Sequence, residues 1–257
     1  MNVLNLVKET GKGKTLGVVN VIGSTLMFGA DAYIPMACGY EVSVPATKTY
    51  FSQTIIFAYL AARLGERNGT IDPSEAKSFI RSLSHDLPRL AQQTIDRTGI
   101  LTKNLAQTLL DVKDLYCLGY GFTDGVAREG ALKIKEICYN HCEGMYSSEF
   151  KHGPLSIVTD NYPVIFITTR EDSWMVINHI NEVACRGGRA IIVGEREDSL
   201  EPYVKRESDY LVVPDSDVLL NPILDVIPLQ LLSYFLSVDL GINPDLPRNL
   251  SKTLTVD

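Results

Sequence analysis

The chain has 257 residues, enough for one large α/β domain or two smaller ones. Apolar residues make up 45% and charged residues 21%, the ordinary composition of a soluble globular protein. Acidic side chains outnumber basic ones by 31 to 24, which argues against broad binding to nucleic acid or to an anionic membrane. We therefore expect neither a nucleic-acid nor a membrane partner, while a pocket for one phosphorylated ligand stays compatible with this balance.

The cysteine pattern argues against a disulfide framework. The five cysteines are Cys38, Cys117, Cys138, Cys142 and Cys185. Their number is odd and no CxxC pair occurs, so a zinc ribbon is not indicated either. Cys138, His141 and Cys142 lie close together, but no second ligand pair follows at a useful spacing. We predict no metal. The free cysteines and the lack of a secretory signal at the start of the sequence favour a reducing cytoplasm.

The first hundred residues predict a small α/β unit. In chain order its elements are a helix, two strands and a helix, at residues 2–9, 16–22, 32–36 and 45–64. The first strand candidate is short, β-branched and bounded by glycine, as in a buried parallel strand. A further helix begins at Asp72 and Pro73, where the aspartate can cap the helix and the proline suits its first position.

After a helical connector over about residues 74–110, strand and helix patterns alternate. Strands are predicted at residues 115–118, 163–168, 190–193 and 210–213, and helices at 125–139, 173–186 and 200–206. This alternation implies βαβ units and a parallel sheet with helices on both faces. An apolar helix over residues 222–240, capped by Asn221, contains charged positions and is predicted as a buried core helix.

These elements predict an α/β fold with two doubly wound parallel-sheet units, of which the first is incomplete. The N-terminal unit offers two strand candidates, too few for a stable open sheet by itself. We divide the chain into residues 1–100, a partial first unit with connector helices; residues 101–240, a complete second unit; and residues 241–257, a tail without strong periodicity.

Three charged residues of the predicted helix at 125–139 lie on one face. Glu129, Lys133 and Glu136 have the spacing i, i+4 and i+7. On an arbitrary helix such a stripe is usually a solvated row of ion pairs. Because this helix follows a parallel strand, its first turns lie near the ligand-binding edge of the sheet, which favours a cleft instead.

His152 and Lys252 are weaker candidates by their local pattern. His152 precedes Gly153 and Pro154, and a histidine at such a rigid turn can shuttle protons, although a lone histidine is usually structural. Lys252 lies in an irregular tail, where nothing in its immediate pattern distinguishes it.

The start of the helix at residues 45–64 has two interpretations that stay open. Free backbone N–H groups and the hydroxyls of Thr47 and Thr49 can bind an anion at a helix N-terminus. Simple capping of the helix explains the same residues equally well.

Five stretches in chain order carry a resemblance to a known family. They are residues 17–24 (GVVNVIGS), 41–48 (EVSVPATK), 129–136 (EGALKIKE), 149–154 (EFKHGP) and 246–253 (LPRNLSKT). In combination they resemble the isomerase part of the glucosamine-6-phosphate synthase family, which is built from two sugar-isomerase (SIS) domains. The resemblance covers nearly the whole chain and implies two SIS-type units.

The resemblance also implies roles for individual residues. Lys252 matches the lysine that forms a Schiff base with the open-chain ketose, and Glu136 matches the base that moves a proton between C1 and C2. Lys133 matches a lysine near the developing C2 oxygen. His152 matches a histidine that helps to open the sugar ring from a partner subunit, which implies a homodimer. The implied chemistry needs no metal or organic cofactor.

The sugar-binding segment of the family departs from its usual form in this chain. Val44, Ala46 and Thr47 match a backbone segment that lines the sugar site, but the family usually has a serine at Ala46 and a small residue at Pro45. The Ser-Gln-Ser-Gly-x-Thr loop that holds the sugar phosphate has no match, and neither does the glutaminase domain. The resemblance therefore implies a second polypeptide that supplies the phosphate loop, and an amino group that does not come from glutamine within this chain.

The expected activity is conversion of fructose 6-phosphate, with ammonia, to glucosamine 6-phosphate. Three alternatives stay open. The chain could be a non-catalytic phosphosugar-binding or regulatory SIS module, a fructosamine 6-phosphate deglycase, or an inactive truncated product.

Overall fold

The computed structural model describes residues 2–252. The chain divides into two compact units, Met1–Ile80 and Arg81–Asp257. The division falls inside the long connector helix, which the sequence analysis assigned to the first domain as far as residue 100. The domain limits 1–100, 101–240 and 241–257 stay a prediction.

The first unit contains a two-stranded parallel sheet with helices. Its elements are α1 (Asn2–Thr10), β1 (Leu16–Val19), α2 (Thr25–Gly29), β2 (Ala32–Pro35), α3 (Lys48–Asn68) and the beginning of α4 (Pro73–Gln107). Leu16 pairs with Ala32 in the parallel register. The carboxylate of Asp31 fixes this pairing, because it accepts hydrogen bonds from the Thr15 hydroxyl at 2.7 Å and the Thr15 N–H at 2.8 Å. These bonds lower the pKa of Asp31 to about 2.

The boundary between α3 and α4 follows the local chemistry of the sequence. α3 ends at Gly69, whose φ of 71° lies in the left-handed region that favours glycine at a helix end. Asp72 caps α4 as predicted, since its carboxylate accepts hydrogen bonds from the N–H and hydroxyl of Ser74 at 2.8 and 2.5 Å. These bonds lower the pKa of Asp72. The predicted connector is one continuous helix of 35 residues.

The second unit is built on a five-stranded parallel sheet with the order β4-β3-β5-β6-β7. The strands are β3 (Asp114–Gly119), β4 (His141–Tyr146), β5 (Pro163–Ile167), β6 (Arg189–Gly194) and β7 (Tyr210–Val212). Every residue of β5 and β6 is buried, and all are apolar except Arg189 at the start of β6, which pairs with Asp209. β4 was not predicted from the sequence. It is an edge strand with polar residues and Gly144, so it lacks the apolar run of a central strand.

Three helices pack with this sheet: α5 (Asp124–Cys138), α6 (Ser173–Ala184) and α7 (Asn221–Asp239). The helix predicted at residues 200–206 is wrong. That segment contains one short 3-10 turn, Glu201–Tyr203, because seven residues with a proline at position 202 are too short for a stable α-helix. Asn221 is the first residue of α7 rather than its cap, and its side-chain oxygen accepts a hydrogen bond from the Ser216 hydroxyl at 2.5 Å.

α7 is long and apolar enough to cross a membrane by length and composition alone. Within the protein, however, 67% of this apolar stretch is buried. The buried residues come from all sides of the helix, from Ile223 to Ser237. The prediction of a core helix is therefore confirmed.

One ionisable group in this core is buried without a hydrogen-bond partner among the described residues. Asp225 on α7 is completely buried, and neither carboxyl oxygen has a hydrogen-bond partner among the described residues. Burial, together with the nearby charges of Glu195 and Asp172, raises the pKa of Asp225 well above its ordinary value. The folded state consequently binds this proton more tightly than the unfolded chain does, and protonation favours folding.

We expect Asp225→Asn to change how stability depends on pH. The stabilising effect of the Asp225 proton is fully present below the unfolded pKa of 3.8 and is lost as pH rises through the higher folded pKa. The free energy of unfolding of the wild type, measured by chemical unfolding, should therefore decline over that pH range. The decline should be weaker in Asp225→Asn. The exposed Asp245→Asn is the matched control and should follow the wild type. Parallel pH profiles for wild type and Asp225→Asn would contradict this account.

Candidate active site

The charged face of α5 forms an ion-paired cluster. Lys133 Nζ lies 2.6 Å from Glu136 Oε2 and 3.4 Å from Glu129 Oε1. The predicted i, i+4, i+7 arrangement is therefore present in the structure. The three side chains are 3%, 20% and 11% exposed for Lys133, Glu136 and Glu129. These values rule out a fully solvated stripe and agree with a face that turns towards the interior.

The two carboxylates differ in their relation to Lys133. Glu136 accepts a hydrogen bond from the ammonium group, whereas the facing oxygen of Glu129 is within ion-pair distance without hydrogen-bond geometry. Burial raises the pKa of Glu129, and the Lys133 charge opposes that rise only in part. Lys133 thus neutralises negative charge on both sides, while Glu136 is the more exposed carboxylate and the one oriented by a hydrogen bond.

Two glycines allow α5 to pack closely enough to bury this cluster. A β-carbon at Gly144 on β4 would lie 2.5 Å from Arg128 Cα, and one at Gly130 on α5 would lie 2.5 Å from a methyl carbon of Leu229 on α7. Helix α5 is therefore held between the edge strand and the core helix at distances that only glycine permits.

The tail, defined as residues 246–252, contacts the end of α5. The hydroxyl of Tyr139 accepts a hydrogen bond from the Arg248 N–H at 2.7 Å. The guanidinium carbon of Arg248 lies 4.1 Å from the centroid of the Tyr139 ring, a cation–π contact. A shallow depression of about 420 Å³ is lined by α5 residues that include Glu136 and by the tail residues Arg248, Asn249 and Leu250. The tail is thus brought to Glu136, and Lys252, which is exposed, follows two residues after Leu250.

His152 belongs to a different element from the α5 cluster. It ends the 3-10 helix Ser147–His152, which follows β4, and it is exposed. In the part of the chain that the structure describes, His152 forms no hydrogen bond or ion pair with Lys133 or Glu136. The predicted position at an exposed turn is confirmed, whereas its role in a neighbouring subunit stays a prediction.

The predicted anion site at the start of α3 contains a carboxylate of the protein itself. Glu41 accepts hydrogen bonds from the Thr47 N–H at 3.1 Å, the Thr49 N–H at 3.3 Å and the Thr49 hydroxyl at 2.8 Å. Thr47 itself makes no side-chain capping hydrogen bond, so these donors at the helix start bind the carboxylate of Glu41. Val44, Ala46 and Thr47 are half-buried in the first unit, and their contact with a sugar stays a prediction.

Tyr139 and Glu41 are the site residues that the sequence analysis missed. Tyr139 contacts a segment that is distant in the sequence, and Glu41 contacts one that lies across a turn. Helical or strand periodicity therefore marks neither residue. The structure alone shows that Tyr139 follows the last helical residue Cys138 in the left-handed conformation, with φ of 60°. A non-glycine residue there costs roughly 1–2 kcal/mol, which suggests a compensating contact.

A model of the SIS domain family matches residues 108–238, about half of the chain and most of the second unit. The chain belongs to the SIS domain family. The parallel-sheet fold class predicted from the sequence is confirmed, and the family model matches one domain in the chain. The SIS type of the first unit stays a prediction.

Relatives of this SIS chain agree with the resemblance found in the sequence. The glutamine–fructose-6-phosphate aminotransferase [isomerizing] of Thermococcus kodakarensis is 39% identical over 99% of the chain, and that of Symbiobacterium thermophilum is 37% identical over 95%. The chain spans about two fifths of these relatives, 41% and 40% of their lengths. The C-terminal domain of glucosamine-fructose-6-phosphate aminotransferase from Francisella tularensis superimposes with a TM-score of 0.86 at 25% identity, over 95% of this chain and 69% of that one.

We expect Lys133→Met to destabilise the protein by about 3 kcal/mol, because it leaves two largely buried carboxylates without their cation. The loss should shrink as pH falls and Glu129 becomes protonated, because burial raises the pKa of this carboxyl above its ordinary value. Lys135→Met, which changes an exposed lysine of the same helix, should alter the free energy of unfolding by no more than about 0.5 kcal/mol. Urea unfolding of both variants checks this, and equal effects would argue against a buried ion-pair cluster.

Proposed function

We propose that this chain contains the reactive residues of a sugar-phosphate isomerase and aminotransferase that converts fructose 6-phosphate and ammonia to glucosamine 6-phosphate. The observation that carries the proposal is the pairing of Glu136 with Lys133 beside the tail that bears Lys252. The depression beside Glu136 is lined by tail residues as far as Leu250, and this supports a role for the amine of Lys252, two residues further along the chain. The names of the curated relatives and of the Francisella structure point to the same chemistry.

The proposed reaction begins at the amine of Lys252. It adds to the C2 carbonyl of the open-chain ketose, and water leaves as the imine forms. Lys133 stabilises the negative charge that develops on the C2 oxygen during this addition. Ammonia then displaces the lysine, which leaves the new nitrogen on C2 and frees the enzyme.

The second stage moves a proton from C1 to C2. The imine nitrogen withdraws electrons from the C1–H bond, so the Glu136 carboxylate can remove the C1 proton and form an enolamine. A proton returns to C2 while the C1 hydroxyl loses its proton to become the aldehyde. The hydrogen bond from Lys133 orients Glu136 for this transfer. The proposed reaction needs no oxidant, metal or organic cofactor.

Two partners belong to the proposal. His152 is exposed and assists ring opening in the site of a second copy, which makes the active form a homodimer. The second is a polypeptide segment outside these 257 residues, in which the Ser-Gln-Ser-Gly-x-Thr pattern does not occur, and this segment supplies the loop that binds the sugar phosphate. We place the reaction in the cytoplasm, which stays a prediction from the sequence.

The test is formation of glucosamine 6-phosphate from fructose 6-phosphate and ammonia, with the chain alone and with the polypeptide encoded upstream of it. We expect Glu136→Gln to lower kcat by about 10²- to 10⁴-fold with little change in KM, because the amide keeps the hydrogen bond but cannot accept the C1 proton. Glu171→Gln, an exposed change in the same unit, is the control and should leave kcat unchanged.

Two results would overturn the proposal. One is the absence of turnover by the wild type in both assays, and the other is full activity of Glu136→Gln. Tight binding of glucosamine 6-phosphate without turnover, measured by calorimetry, would favour the non-catalytic module instead.

A further inference from the structure

Tyr139 occupies an unusual backbone position next to the candidate site. It follows Cys138, the last residue of α5, and lies three residues after Glu136. Its φ of 60° belongs to the left-handed region, where helix ends usually have glycine. The side-chain contacts of Tyr139 offset the cost of this backbone conformation, which glycine would relieve.

The hydroxyl group and the aromatic ring of Tyr139 both contact Arg248. Its hydroxyl accepts the hydrogen bond from the Arg248 N–H at 2.7 Å, and its ring face lies under the Arg248 guanidinium at 4.1 Å. The two residues are 109 positions apart in the sequence. A phenolic ring that binds one residue by backbone and side chain together fixes both the position and the direction of the chain at that point.

The segment held in this way has little structure of its own. No helix or strand occurs between Gly241 and Lys252, and Asn249 directly after Arg248 is itself in the left-handed conformation, with φ of 63°. Contacts to the folded unit must therefore determine where the tail runs. Lys252 follows Arg248 by four residues, within a span that the Tyr139 contacts can control.

We propose that Tyr139 is a positioning residue that holds the tail so that Lys252 and Glu136 act on the same substrate. This inference rests on the proposed function, and it adds a residue that touches neither the substrate nor the reacting atoms. Tyr139 and Glu136 belong to the same end of α5, so the helix that orients the base also anchors the segment that bears the amine. One rigid element then sets the distance between the two groups.

The variants separate the two contacts from the backbone strain. Tyr139→Phe removes the hydroxyl acceptor and keeps the ring, whereas Arg248→Ala removes the guanidinium and keeps the backbone N–H. Tyr139→Gly removes both contacts but relieves the left-handed backbone, so we expect its melting temperature to stay within about 2–4 °C of the wild type. Tyr234→Phe, an exposed tyrosine on α7, is the matched control.

Two measurements test the inference on the full chain. Hydrogen exchange of the tail amides should be faster in Tyr139→Gly, with smaller increases in Tyr139→Phe and Arg248→Ala and none in Tyr234→Phe. In the assay with ammonia, Tyr139→Gly should lower kcat about 10- to 100-fold with KM nearly unchanged, because the lysine is misplaced while the substrate contacts remain.

Unchanged tail exchange in Tyr139→Gly would overturn the inference, and so would wild-type kcat in that variant despite faster exchange. If the wild type itself gives no turnover, the proposed function fails. Hydrogen exchange then tests the anchoring by Tyr139 independently of turnover. Faster exchange of the tail amides in Tyr139→Gly supports the anchoring, and unchanged exchange overturns it.

Discussion

The interaction on which the second unit's chemistry depends is the placement of one lysine between two carboxylates on α5. Lys133 is almost completely buried, and a buried ammonium group is tolerated only when opposite charge and hydrogen bonds replace its hydration. Glu136 supplies a hydrogen bond acceptor at 2.6 Å, and Glu129 supplies a second negative charge. The cluster is therefore both a structural requirement and an oriented base with a neighbouring cation.

Close packing makes this arrangement possible. α5 is held against β4 at Gly144 and against α7 at Gly130, where side chains would force the elements apart. The same helix ends at Tyr139, which contacts the tail. Fold, base and tail are in this way linked through a single helix of 15 residues.

The sequence predicted the parts of this structure that depend on local or periodic patterns. β5 and β6 were recognised because each contains an uninterrupted apolar run, as central parallel strands do, and the α5 face because helical spacing brings Glu129, Lys133 and Glu136 together. The edge strand β4 escaped because only part of it is buried. The capping carboxylate of Glu41 and the Tyr139–Arg248 contact escaped because tertiary folding, not spacing, creates them.

The role of Lys252 illustrates the same limit. Its irregular surroundings carry no pattern, and only the resemblance to a family assigned it a function. The structure adds that the tail approaches Glu136 through Arg248, Asn249 and Leu250. This approach gives a physical reason why Lys252 can act with α5, although the two are far apart in the sequence.

The most direct test of the account is to trap the imine on the tail. The chain, with the upstream polypeptide where turnover needs it, is incubated with fructose 6-phosphate and borohydride and then analysed by peptide mass spectrometry. The account predicts one reduced hexose phosphate on the peptide that contains Lys252, retained in Lys135→Arg and absent in Lys252→Arg. Turnover together with labelling at another lysine, or with no labelling, would contradict it.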